Sequence, residues 1–132
     1  MERWPRKYSE VFYALMRVAA GVLFACHGAQ KLFGVLGGQV KISNPVMLTA
    51  GVIEFVGGGL IAIGLWTGYA AFLSSGLMAV AYFMAHASGG FWPVVNKGEL
   101  AVLYCFVFLY MAGRWSGPFS VDALIGKRLP ES

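Results

Sequence analysis

Charge is scarce in this chain: only 12% of its 132 residues are Asp, Glu, Lys or Arg, where soluble domains carry roughly 25%. Together with 58% hydrophobic residues, that shortage excludes an ordinary water-soluble domain and makes the bilayer the expected solvent. Cysteine is sparse as well. Cys26 and Cys105 stand in separate apolar runs without CxxC spacing, so they report no redox compartment. Burial as small apolar side chains is the simplest role for them, and a bridge between helices is the alternative. Cofactor signatures are missing: there is no flavin, nicotinamide or iron–sulfur pattern, no haem-attachment motif and no paired Glu-x-x-His of di-metal bundles. Neither metal nor haem is expected. The cations form no basic stripe, which removes nucleic acid as a partner. Arg3, Arg6 and Lys7 precede an apolar run that extends to about Phe33, too long for a signal peptide and without a small-residue cleavage site.

What the chain does have is long apolar stretches separated by turn chemistry. They predict an all-α membrane protein, an antiparallel bundle of four transmembrane helices over residues 11–113, with a basic segment at 1–10 and a tail at 114–132. The spans are expected at about 11–33, 47–65, 69–86 and 97–113. Gly37-Gly38 and Asn44-Pro45 mark the first loop, Trp66-Thr67-Gly68 a tight hairpin turn, and Ser88 to Pro93 a loop with interfacial aromatics. Four spans put both termini on one side. Arg3, Arg6, Lys7, Arg114, Lys127 and Arg128 would lie there, against Lys31, Lys41 and Lys97 opposite, so the positive-inside rule predicts cytoplasmic termini. Glycine is abundant at 18 residues, as expected where membrane helices approach closely. Ala50, Gly51, Gly57 and Gly58 surround Glu54 at helical spacing, and Ala71, Ser75 and Ala79 form a small-residue stripe in the third span.

Ionisable residues inside hydrocarbon are costly and usually face a protein interior or an aqueous cavity. Measured from the cytoplasmic edge, a helical rise of ~1.5 Å per residue puts His27 at roughly 24 Å, Glu54 at about 20 Å, His86 near ~26 Å and Glu99 near ~27 Å. The four helices thus bring one such group each to a shared depth. Gln30 and Lys31 one turn above His27, and Asn96 at the entrance of the fourth span, would extend this into a polar pocket. Arg17 starts deeper and is expected to reach toward Glu54. Either Arg17 or Lys31 would keep that carboxyl ionised. A purely structural ion pair, or interfacial snorkelling by Lys31, Lys97 and Glu99, would use the same residues.

Arg17-x-x-x-Gly21, His27-Gly28-x-Gln30-Lys31-x-Phe33-Gly34, Glu54-Phe55-x-Gly57-Gly58, His86, Phe91-Trp92-Pro93-x-x-Asn96-x-Gly98-Glu99, Leu103-Tyr104 and Gly117-x-x-Ser120-x-Asp122 together resemble the DoxX family. The resemblance runs from about Tyr8 to Asp122. It implies a small four-helix protein of a bacterial or archaeal inner membrane, related to subunits associated with thiosulfate and quinone oxidoreduction. On that footing the chain is expected to be an accessory or quinone-interacting subunit of a larger membrane oxidoreductase, or a homo-oligomer. Glu54, His27 and His86 would hydrogen-bond a quinone head and exchange protons, with Phe24, Tyr82 and Phe106 lining the path of its tail. A small transporter or channel, and a non-catalytic assembly subunit, are the alternatives.

Overall fold

The structure, a computed structural model, describes residues 3–128; residues 129–132 of the expected tail and the side chains of Lys127 and Arg128 lie outside the described residues. Every regular element among them is helical. Helix α1, Arg6–Phe33, covers about 42 Å at ~1.5 Å per residue. It stops at Gly34, whose φ of 67° is left-handed and whose N–H donates to the Gln30 carbonyl. Helix α2, Pro45–Ile63, opens with proline in its first turn and Asn44 as cap, the side chain accepting from the Val46 N–H. A π-helical turn, Ile53–Gly57, interrupts it. Gly64 ends α2 with φ 74°, and α3, Thr67–Ala85, follows immediately. After a 3₁₀ turn, Ala87–Gly89, come the short α4, Pro93–Asn96, then α5, Glu99–Arg114, and α6, Val121–Arg128.

Three helices, α1, α2 and α3, are long and apolar enough to cross a membrane. Helix α5, where the fourth span is expected, has 16 residues. It begins at Glu99 instead of 97 because Lys97 takes a left-handed φ of 63° and breaks the helix there.

Two antiparallel pairings organise the chain. In the first, α1 and α2 touch backbone to backbone. A Cβ added at Gly28 would stand 2.3 Å from the Phe55 nitrogen and 2.7 Å from the Gly51 carbonyl oxygen; one at Gly21 would stand 2.5 Å from the Ala62 nitrogen. Gly58 faces Ala25 just as tightly, at 2.5 Å. Glycines seven residues apart on each helix thus mesh where any side chain would push the helices apart. Gly57 points elsewhere, toward Ser74 of α3. In the second pairing, α3 packs on α5 through Ala71 and Ser75, whose hydroxyl donates to the Cys105 carbonyl at 2.7 Å. Phe24 of α1 joins the two pairs: it is buried against Phe108, with ring centroids 4.7 Å apart, and Tyr104 stacks on Phe108 in turn. Both cysteines are free and half-buried.

Arg17 departs from its expected place. It is buried, but it does not meet Glu54: Nε donates to the Ile61 carbonyl at 3.0 Å, Nη1 to Ser116 at 2.5 Å and Nη2 to Phe119 at 2.8 Å. The physical reason lies in the end of α2. Terminal helical carbonyls have no partner within the helix, and a planar guanidinium with five donors satisfies several at once. Glu54 sits seven residues before Ile61 in α2, about 10 Å away along the axis. Asp122 completes the lock by accepting from the Trp66 N–H at 2.9 Å and the Ser116 hydroxyl at 2.5 Å, while its own N–H donates to Gly64. Tyr13 donates to the Trp115 carbonyl. Residues 115–122, expected to belong to a tail, are therefore fastened over the α2–α3 turn.

Two outcomes follow for stability. Arg17→Leu strands buried carbonyls, each worth about 1–3 kcal/mol, so its thermal unfolding in detergent should shift well below wild type, with Arg17→Lys recovering only part of the loss. Gly28→Leu should separate α1 from α2 and lower the unfolding midpoint further than Gly76→Leu, since Gly76 faces open space. Equal midpoints for the two glycine variants would contradict the close crossing.

Candidate ligand-binding site

At the end of the molecule opposite the Arg17 lock, the glycine crossing holds a charged pair. Lys31 lies in the last turn of α1 and Glu54 in the π turn of α2. Lys31 Nζ stands 2.5 and 2.6 Å from the two carboxylate oxygens, and the Glu54 side chain is only 3% exposed against 23% for Lys31. A π turn inserts one residue into a helix and re-aims the side chains around it, a device frequent at functional sites. The carboxylate is thereby withdrawn from bulk surroundings and depends on one ammonium for its charge balance.

The pair forms part of the wall of a cavity of about 930 Å³. His27 and Phe24 of α1 join Lys31 on one side; Pro45 to Met47, Thr49 and Ala50 of α2 lie beside Glu54; Leu77, Met78, Ala81, Met84 and His86 come from α3; Leu100, Ala101 and Tyr104 come from α5. The lining is apolar apart from a few groups at one end. His86 closes α3, its Nδ1 3.3 Å from the Asn96 carbonyl, and the His27 ring meets Tyr104 edge-on at 6.4 Å. The cavity offers cationic and imidazole N–H donors, a carboxylate acceptor and a phenol, followed by a greasy extension. That is a receptacle for an amphipathic molecule with a hydrogen-bonding head. Among the described residues, no three His, Cys, Asp or Glu side chains gather in a metal-ligand arrangement.

Of the sequence candidates, His27, Lys31, Glu54, His86 and Phe24 meet in this cavity. Others do not. Gln30 faces a separate pocket and donates to the Leu36 carbonyl. Asn96 is buried as a loop clamp: its amide donates to Tyr82 Oη at 2.9 Å and the Gly90 carbonyl at 3.0 Å, and its oxygen accepts from Gly98 N–H. Tyr82 is thereby engaged with the loop instead of lining a tail path. Glu99 is exposed in the first turn of α5, where a helix favours negative charge. Phe106 is 64% exposed, because Tyr104 and Phe108 occupy the inward face of α5 and the residue midway between them points away. Tyr104 was not among the candidates; its signal is its place four residues before Phe108, on one helical face.

The fold and cavity thus define a helical membrane protein with a charged pair set into an apolar internal wall. Comparison with known proteins adds the family. The DoxX family model matches residues 12–87, the stretch containing His27, Lys31, Glu54 and His86, and the chain belongs to the DoxX family. A Haemophilus influenzae protein, itself uncharacterized, is 40% identical over 123 residues, covering 88% of this chain and 92% of that relative. No solved structure matches the chain.

The ion pair can be tested on its own. Lys31→Met leaves a carboxylate unpaired inside protein and should cost roughly 2–3 kcal/mol, whereas Lys31→Met with Glu54→Leu should return most of that stability. Thermal unfolding of the wild type, both single variants and the double variant checks this. Additive losses would mean that the two groups do not depend on each other.

Proposed function

We propose that this protein is an inner-membrane subunit that holds a quinone or quinol in the cavity beside Lys31 and Glu54, as an accessory part of a membrane oxidoreductase system. In this reading α1, α2, α3 and α5 cross the bilayer as an antiparallel four-helix bundle with both termini cytoplasmic. The short α5 spans by drawing the Trp92–Gly98 loop and Arg114 to the two interfaces, as a helix shorter than the hydrocarbon requires. The observation that carries the proposal is a cavity of about 930 Å³ whose largely apolar lining is broken by the Lys31–Glu54 pair together with His27, His86 and Lys97. A quinone head presents carbonyl acceptors that Lys31 and the histidines can meet, and the reduced head presents hydroxyls that the Glu54 carboxylate can accept from. Its isoprenoid tail matches Leu77, Ala81 and Met84.

The quinone itself would carry the electrons; the chain's residues orient the head and keep a carboxylate available for protons. A conduit for ions or solutes is less well supported. Below Phe24 and Tyr104 the interior is closed by Phe108, Ile61 and Met111, all fully buried, and then by the Arg17 lock.

Quinone titration of the purified protein in nanodiscs tests the reading. Glu54→Gln is expected to weaken binding about tenfold, ~1.4 kcal/mol, and His86→Ala by a similar factor. Glu99→Gln, outside the cavity, should bind as wild type does. No saturable binding by the wild type, or unchanged affinity in both cavity variants, would remove quinone as the ligand. Terminal tags protected from a cytoplasmic protease would overturn the orientation.

A further inference from the structure

A second, smaller pocket of about 320 Å³ lies under the loop that follows α1. Its lining is of opposite character: Gln30, Gln39, Lys41 and the backbone of Gly37-Gly38, with no apolar side chain. It shares two residues with the large cavity, His27 and Lys31. These stand as a partition, bordering a polar compartment on one side and a largely apolar one on the other.

The roof of the small pocket is fixed. The Lys41 N–H donates to the Lys31 carbonyl at 2.9 Å, the Gln30 amide donates to the Leu36 carbonyl at 3.0 Å, and Gly38 lies so close to α1 that a Cβ there would stand 2.5 Å from that of Gln30. The loop can approach the helix this closely only through glycine. Solvent exposure of the ion pair is also one-sided, 23% on Lys31 against 3% on Glu54. Charges inside membrane proteins usually face a protein interior or an aqueous cavity, and here the more exposed partner is the one that borders the polar pocket.

We propose that the small pocket is the aqueous entrance to the ion pair, through which water and protons reach Lys31 and Glu54 while an amphiphile occupies the apolar side. A proton taken up there passes from hydronium to the Glu54 carboxylate, leaving water and a carboxylic acid, with no other reactant. The proposal rests on the quinone reading for the occupant of the large cavity, but access from the polar side is a property of the chain alone.

Cysteine accessibility tests it, with Cys26 and Cys105 replaced by alanine and the protein in nanodiscs. Single variants Gln39→Cys, Lys31→Cys and Ala50→Cys report on the loop, the partition and the apolar cavity. A charged, water-soluble thiosulfonate needs a hydrated thiolate, so Gln39→Cys and Lys31→Cys should react about tenfold faster than Ala50→Cys or more. An uncharged lipophilic maleimide, which also needs the thiolate but enters apolar space freely, should narrow the gap between Lys31→Cys and Ala50→Cys. An inert Lys31→Cys beside a reactive Gln39→Cys would overturn the entrance, and so would an Ala50→Cys that labels as fast as Lys31→Cys with the charged reagent. The labelling is done in quinone-free nanodiscs, so failure here and failure to bind quinone are separate results.

Discussion

The charged pair between Lys31 and Glu54 is the constraint to which the rest of the site answers. A carboxylate almost wholly removed from solvent is tolerable only with a cation held against it, and the two side chains belong to different helices. Their registration is set by contacts that contain no side chain at all. Gly21 and Gly28 on α1, meeting Gly58 and Gly51 on α2, let two backbones touch, and only at that separation does the Lys31 ammonium bridge both oxygens of Glu54. Van der Waals packing of small residues is the force available to helices in lipid, where apolar burial gives no advantage of one helix over another.

The other end of the molecule solves a different problem by related means. There α2 turns into α3, leaving carbonyls that lipid cannot satisfy. Arg17 supplies donors to Ile61, Ser116 and Phe119, and Asp122 fastens the same segment from its other side. With this end sealed by the Arg17 lock, the ion pair at the opposite end is left to border the large cavity. The aromatic layer of Phe24, Tyr104 and Phe108 separates the two. This division of labour assigns Arg17 to architecture and Lys31 and Glu54 to the cavity.

Much of this was legible in the residues. Hydropathy and the turn signals placed α1, α2 and α3 within a few residues of their ends, because apolar runs of membrane length and Gly or Asn-Pro breaks are strong local signals. Counting rise per residue brings His27, Glu54, His86 and Glu99 to one level, with Lys31 one turn above His27, and of these Glu99 stands outside the cavity. Rotation about each helix axis was harder. A helix apolar on all faces has little amphipathic pattern to fix its phase, so Phe106 could not be told from Tyr104 as the inward residue. The π turn at Glu54 shifts that phase without any sequence mark. Arg17 was assigned to Glu54 because both are charged, whereas its partners are backbone carbonyls contributed from as far away as Phe119, which no local pattern announces.

An experimental structure in nanodiscs made with native lipid extract would test the central claim most directly. The expected result is a molecule in the large cavity whose polar head lies within hydrogen-bonding distance of Lys31 or Glu54 and whose chain runs past Met84 into the bilayer. A cavity collapsed by closure of α2 onto α3, or one filled by acyl chains with no head at the ion pair, would contradict it.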